Sequence, residues 1–89
     1  MSKPRYPWWG YVKNILRRYP NTPEREAVDA TIEEYRQNPE RLQVIAMVYF
    51  RKSHDMYGAA AACHVSYGAA KEWHGEFLRC VAQHLGLPM

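Results

Sequence analysis

No run of apolar residues in this 89-residue chain approaches the roughly 18 needed to cross a bilayer. The N-terminus also lacks the apolar stretch of a secretory signal, so a cytoplasmic protein without membrane contact is expected. Cysteine is scarce. Cys63 and Cys80 cannot build a disulfide framework, and both fall in apolar helical patterns, where a thiol acts as a small hydrophobe. There is no CxxC and no HxxxH pair. Cys80 and His84 lie one helical turn apart, and Cys63, His64 and His74 are further donors, but a structural zinc site takes four ligands, usually with a close cysteine pair. No metal is therefore expected. Nor is there a glycine-rich phosphate loop, a paired-carboxylate set or a nucleophile beside a base, and the adjacent His54 and Asp55 lack a third group. These absences predict a protein that is not an enzyme and takes no cofactor.

What the chain does have is aromatic bulk and helical periodicity. Three Trp, seven Tyr and two Phe supply the large side chains that a short chain needs for its core. Hydrophobic residues at 47% and charged residues at 24% are globular values, and the length suits one domain over 1–89. Trp8 or Trp9, Val12, Ile15 or Leu16, and Tyr19 recur at three and four residues, which predicts a helix over 8–19 ended by Pro20. Thr22-Pro23-Glu24 is a helix-start signal for a second helix over 23–37 that buries Val28, Ile32 or Thr31, and Tyr35. Asn38-Pro39-Glu40 repeats the device for a third, over 39–51, whose wide apolar stripe makes it the most buried. Residues 51–55 are polar and read as a loop ending in a capping Asp55. A short alanine-rich helix follows over 56–63, then a His64-Val65 turn, then a helix over 67–85 capped by Ser66 and stopped by Gly86. The expected fold is all-α, a compact bundle of about five helices.

Charge is segregated along the chain. Residues 1–20 carry Lys3, Arg5, Lys13, Arg17 and Arg18 with no acid, while residues 24–40 carry six acids against Arg25 and Arg36. That distribution fits one basic face presented to a polyanion and one acidic face turned away. The paired Trp8 and Trp9 beside these cations are read as core cover, with Lys3 and Arg5 as an arm reaching a DNA groove.

The last two helices read as a helix-turn-helix over 56–85, in which a short helix and a tight turn place a longer helix in a major groove. The block Ala59–Ala62 permits the close crossing, and Val65 anchors the turn. Ser66 leaves helix-terminal amides for a phosphate. The exposed first turns then carry Tyr67, Gly68, Lys71, Glu72 and Gly75. Lys71 suits a phosphate or guanine, Tyr67 a phosphate or thymine methyl, and Glu72 a cytosine amine. Small glycines there allow close backbone approach. Arg51 and Lys52, just before the motif, are added as DNA contacts. His64 stands where such a turn favours Gly for a positive φ.

The stretch from Tyr49-Phe50 to Leu85-Gly86-Leu87 resembles region four of sigma factors, and more closely the phage-encoded transcriptional regulators of the ArpU and RinA type. The matching features are Val48-Tyr49-Phe50, the Val65-Ser66 entry, Trp73 and the closing Ala82-Gln83-His84-Leu85-Gly86-Leu87. The opening Tyr6-Pro7-Trp8-Trp9-Gly10-Tyr11-Val12-Lys13 and Arg18-Tyr19-Pro20 add to them. The resemblance implies a DNA-binding domain that controls phage genes, with Ser66, Tyr67, Lys71 and Glu72 in the recognition helix and Tyr57 on the DNA backbone. Gly58 and His64 depart from the family, which carries larger residues and Gly there.

The expectation is sequence-specific binding of double-stranded DNA, with a second copy of the chain or RNA polymerase supplying further contacts. Two rivals stand beside it. One is a packaging-site binder like a phage terminase small subunit. The other is a helical protein-interaction adaptor that does not bind DNA.

Overall fold

A computed structural model describes residues 6–87, in which five α-helices and no strand occur. Helix α1 is Trp9–Arg18, α2 is Arg25–Glu34, α3 is Pro39–Ile45, α4 is Met56–Ala62 and α5 is Tyr67–Leu85. A 3₁₀ turn, Tyr35–Gln37, extends α2, and a π-helical segment, Ala46–Phe50, extends α3. The all-α bundle read from periodicity is the fold, and its last two helices follow the expected order of short helix, turn and long helix.

Local chemistry explains most boundaries. Tyr19 leaves α1 at ψ 138°, the extended geometry imposed by a following proline, and its peptide to Pro20 is cis. Asp55 caps α4 by accepting from the Gly58 amide at 2.8 Å, and Ser66 caps α5 by accepting from the Ala69 amide at 3.0 Å. Gly86 closes α5 at φ 74°, a left-handed angle that costs glycine nothing. His64 takes φ 57° in the α4–α5 turn, at the position where its neighbours in sequence foretold a positive angle. Thr22 behaves differently from expectation. It caps no amide; it is buried, and its hydroxyl donates to the Glu24 carboxylate at 3.3 Å. Helix α2 consequently begins two residues later than the proline signal suggested.

The core has two parts. The larger gathers Trp8, Val12, Ile15 and Leu16 from the start of the chain, Val28 from α2, Ile45 and Tyr49 from the α3 segment, and Phe77, Leu78, Val81 and Ala82 from α5. The smaller joins Val44 and Met47 to Ala59 and Ala60 of α4 and Ala70 of α5, with Val65 and Trp73 packed on its edge. Only half of the alanine block serves the α4 contact, since Ala61 and Ala62 face solvent. The two remaining alanines suffice for close approach. Thr31, fully buried on α2, satisfies its hydroxyl by donating to the Ala27 carbonyl at 2.9 Å.

Helix α3 and its π-helical extension serve both parts, with Val44 and Met47 in the small core and Ile45 and Tyr49 in the large one. The Arg51 amide donates to the Ala46 carbonyl at 2.7 Å, closing the wider π turn.

The His64 angle makes a prediction about stability. The side chain is exposed, so its replacement removes little packing. His64→Gly should raise the unfolding free energy by about 0.5–1 kcal/mol, because relief of left-handed strain outweighs glycine's entropy. His64→Val should lower it by at least about 1 kcal/mol. Urea titrations of the two variants decide the matter, and loss of stability in both would show that the imidazole itself holds the turn.

Candidate nucleic-acid interface

The exposed beginning of α5 is built by its buried side. Ala70 and Phe77 are fully buried and Trp73 is half-buried, so the helix presents Ser66, Gly68, Lys71 and Glu72 to solvent with Tyr67 partly exposed. Tyr57, 67% exposed, stacks on Tyr67 with ring centroids 3.9 Å apart. The Lys71 ammonium lies 5.5 Å from the Tyr67 ring centroid. Lys71, Tyr67 and Tyr57 therefore form one continuous run of side chains on the outer surface of the α4–α5 pair.

This surface is one wall of a cleft of about 1020 Å³. Helix α1 supplies the opposite wall through Trp9, Lys13 and Arg17, and Arg79 extends the α5 wall by two turns beyond Lys71. Lys13, Arg17, Lys71 and Arg79 thus face two carboxylates, Asp55 and Glu72, across the same space. None of these four cations makes an ion pair with an acid among the described residues. The acids of α2 are used elsewhere: Asp29 pairs with Arg25 at 3.4 Å, and Glu33 with Arg36 at 3.0 Å, all at the surface and away from the cleft. With four cations against two carboxylates, the groove has a net positive lining, which concentrates anions.

The floor of the cleft is aromatic and neutral. Tyr49 lies 2.6 Å from Nε2 of His74, with the rings stacked at 5.6 Å, and Trp9 meets His74 edge-on at 5.8 Å. Burial, aided by the nearby Lys13, pushes the His74 imidazole down to about 4, and burial pushes the Tyr49 phenol up to about 12. Both groups are uncharged near neutral pH. The hydrogen bond between them joins two neutral groups, and neither contributes charge to the cleft.

The residues expected at the site divide into three groups. Tyr67, Lys71 and Glu72 line the cleft, with Ser66, Gly68 and Tyr57 exposed beside them. Arg51 and Lys52 are exposed but do not line it, Lys52 being held at φ 54° in the loop before α4. Lys3 and Arg5 lie outside the described residues. Gly75 corrects the expectation of an exposed glycine. It is buried, and a Cβ there would lie in ordinary contact with the Trp9 ring at 3.5 Å, so it sits under α1 and not on the outer face. Gly68 keeps its open surroundings, with nothing within 4 Å of a Cβ.

Sequence reasoning did not select Lys13, Arg17, Trp9 or Arg79 for the site. The spacing of Lys13 and Arg17, one helical turn, placed them on a common face, but only the packing of α1 on α5 aims that face at Lys71. The Trp pair also splits its roles: Trp8 is 6% exposed and belongs to the core, whereas Trp9 walls the cleft.

His74 predicts how stability depends on pH. Above pH 6.5 the imidazole is neutral in both folded and unfolded chains, and stability is full. Below that, the unfolded chain takes up the proton first, so stability declines until the folded group titrates at about 4. The span corresponds to about 3 kcal/mol. Urea midpoints measured across this range should fall more steeply for the natural chain than for His74→Gln, and parallel profiles would refute the assignment. No protein-family model, curated protein or solved structure matches this chain.

Proposed function

We propose that this protein binds double-stranded DNA through the α1–α5 cleft, with the first turns of α5 as the recognition helix. The observation that carries the reading is the convergence of Lys13, Arg17, Lys71 and Arg79, from two helices, on one cleft beside an exposed helix start. A duplex presents regularly spaced phosphates, which unpaired cations on rigid helices match. In this arrangement Lys13 and Arg17 hold the backbone and position the protein, while Lys71, Glu72 and Tyr67 address base edges. The Ser66 end of α5 offers its free amides to a phosphate. Gly68, with open space around it, lets the helix approach closely.

The activity proposed is binding without chemistry, in the service of transcriptional control of the phage-related kind that the C-terminal resemblance implies. A single recognition helix reads few base pairs, so a second copy or RNA polymerase completes the contacts. A packaging-site binder would use the same face. An adaptor would not bind DNA at all.

Salt and substitution test the reading together. Three phosphate contacts, from Lys13, Arg17 and Arg79, give a slope of log affinity against log salt of about −2.7. Replacing Lys13 and Arg17 together by Ala should make that slope shallower by about 2, for specific and non-specific duplexes alike. Lys71→Ala should weaken the specific duplex more. Gly68→Ala should leave the fold intact and weaken binding at least tenfold, because the added methyl meets the DNA and nothing in the protein. A flat salt response, or a slope indifferent to all four cations, would overturn the proposal.

A further inference from the structure

On the opposite side of α5 from the positive cleft, a second group of side chains converges. Glu34 ends α2, and Cys80 and His84 lie one turn apart near the end of α5. The Cys80 thiol donates to Oε2 of Glu34 at 3.0 Å, and Nε2 of His84 lies 3.0 Å from the same oxygen. The three ligand atoms fall within 4.8 Å of one another, the one such group among the described residues. None of the three residues lines the cleft.

We propose that Glu34, Cys80 and His84 form a binding site for a borderline-soft divalent cation of the zinc class. The donor set is one sulfur, one imidazole nitrogen and one carboxylate oxygen. That mixture suits zinc and its d-block neighbours and disfavours calcium or magnesium, which take oxygen throughout. Around a tetrahedral zinc, with bonds of about 2.0–2.3 Å, adjacent ligand atoms stand about 3.3–3.6 Å apart. The separations of 3.0 Å to Glu34 therefore need to open by only about half an ångström, using side chains at the surface.

The proton count favours exchange. Without metal, two hydrogens, on the thiol and on the imidazole, point at a single carboxylate oxygen. A dication takes their place. The thiol proton leaves to solvent, the imidazole proton is exchanged from Nε2 to Nδ1, and thiolate and carboxylate together balance the charge of two. One proton is released per metal bound, so affinity rises with pH. Three protein ligands leave a fourth position for water on the solvent side. The metal would also tie the end of α2 to α5, and by mass action would raise stability in proportion to its occupancy. The Cys80-x-x-x-His84 spacing shows two of the three ligands in the sequence, and the third comes from 46 residues away.

Cobalt(II) is the direct probe, because it occupies zinc sites and reports its ligands by absorption. Titrating cobalt chloride into the untagged, reduced chain should give a saturable one-to-one complex with a thiolate-to-cobalt charge-transfer band and tetrahedral visible bands, displaced by zinc. Cys80→Ser should abolish the band and Cys63→Ser should keep it. Glu34→Gln and His84→Ala should each weaken binding at least tenfold, with far-ultraviolet circular dichroism confirming that each variant is folded. Glu34 is a surface residue, so its variant tests the site even where Cys80→Ser disturbs packing. The proposal fails if the natural chain shows no thiolate band, if the band follows Cys63, or if it persists at full strength without Glu34 and His84.

Discussion

Burial of one side of α5 sets the direction of everything on its other side. Phe77, Leu78, Val81 and Ala82 are withdrawn from solvent along nineteen residues of continuous helix, and α1, α2, α3 and α4 all pack against it. Each large apolar side chain so covered contributes about 1.5–3 kcal/mol, so rotating the helix to present another face would forfeit most of the core. Lys71, Glu72 and Arg79 are consequently carried outward by the same energy that folds the chain. The site and the core share one element.

The cleft floor shows how polar groups are accommodated against that core. His74 and Tyr49 satisfy one another, and no buried side-chain nitrogen or oxygen among the described residues lacks a partner. A charged imidazole there would confront Lys13 at close quarters and lose its hydration. Keeping it neutral leaves the positive lining to the lysine and arginine side chains alone. The charge of the cleft is thus a matter of surface side chains, while its shape belongs to aromatic rings fixed from beneath.

Features with a local cause could be read from the chain. Ser66 and Gly86 delimit α5, Asp55 opens α4, and the need for a positive angle at His64 follows from the tight link between two helices. Features that depend on three-dimensional meeting could not. Thr22 is turned inward by packing instead of capping, the π-helical widening at Ala46–Phe50 has no compositional mark, and Gly75 is covered by a Trp sixty-six positions earlier. The candidate site divides in the same way. Its first-turn α5 members were visible as the polar face of a periodic helix, whereas Lys13 and Arg17 join them only because α1 lies across α5. Glu34 meets Cys80 and His84 for the same kind of reason.

The continuity of α5 has a thermodynamic consequence for any ligand that the cleft admits. Tyr67, Lys71 and Arg79 ride on a backbone already hydrogen-bonded and anchored, so docking immobilises side-chain rotamers and no main chain. The entropic penalty is then about 0.5–1.5 kcal/mol for each long side chain held, without the larger cost of folding a segment on contact. Association of this kind is rigid-body recognition, with a heat-capacity change that reflects the area covered at the interface.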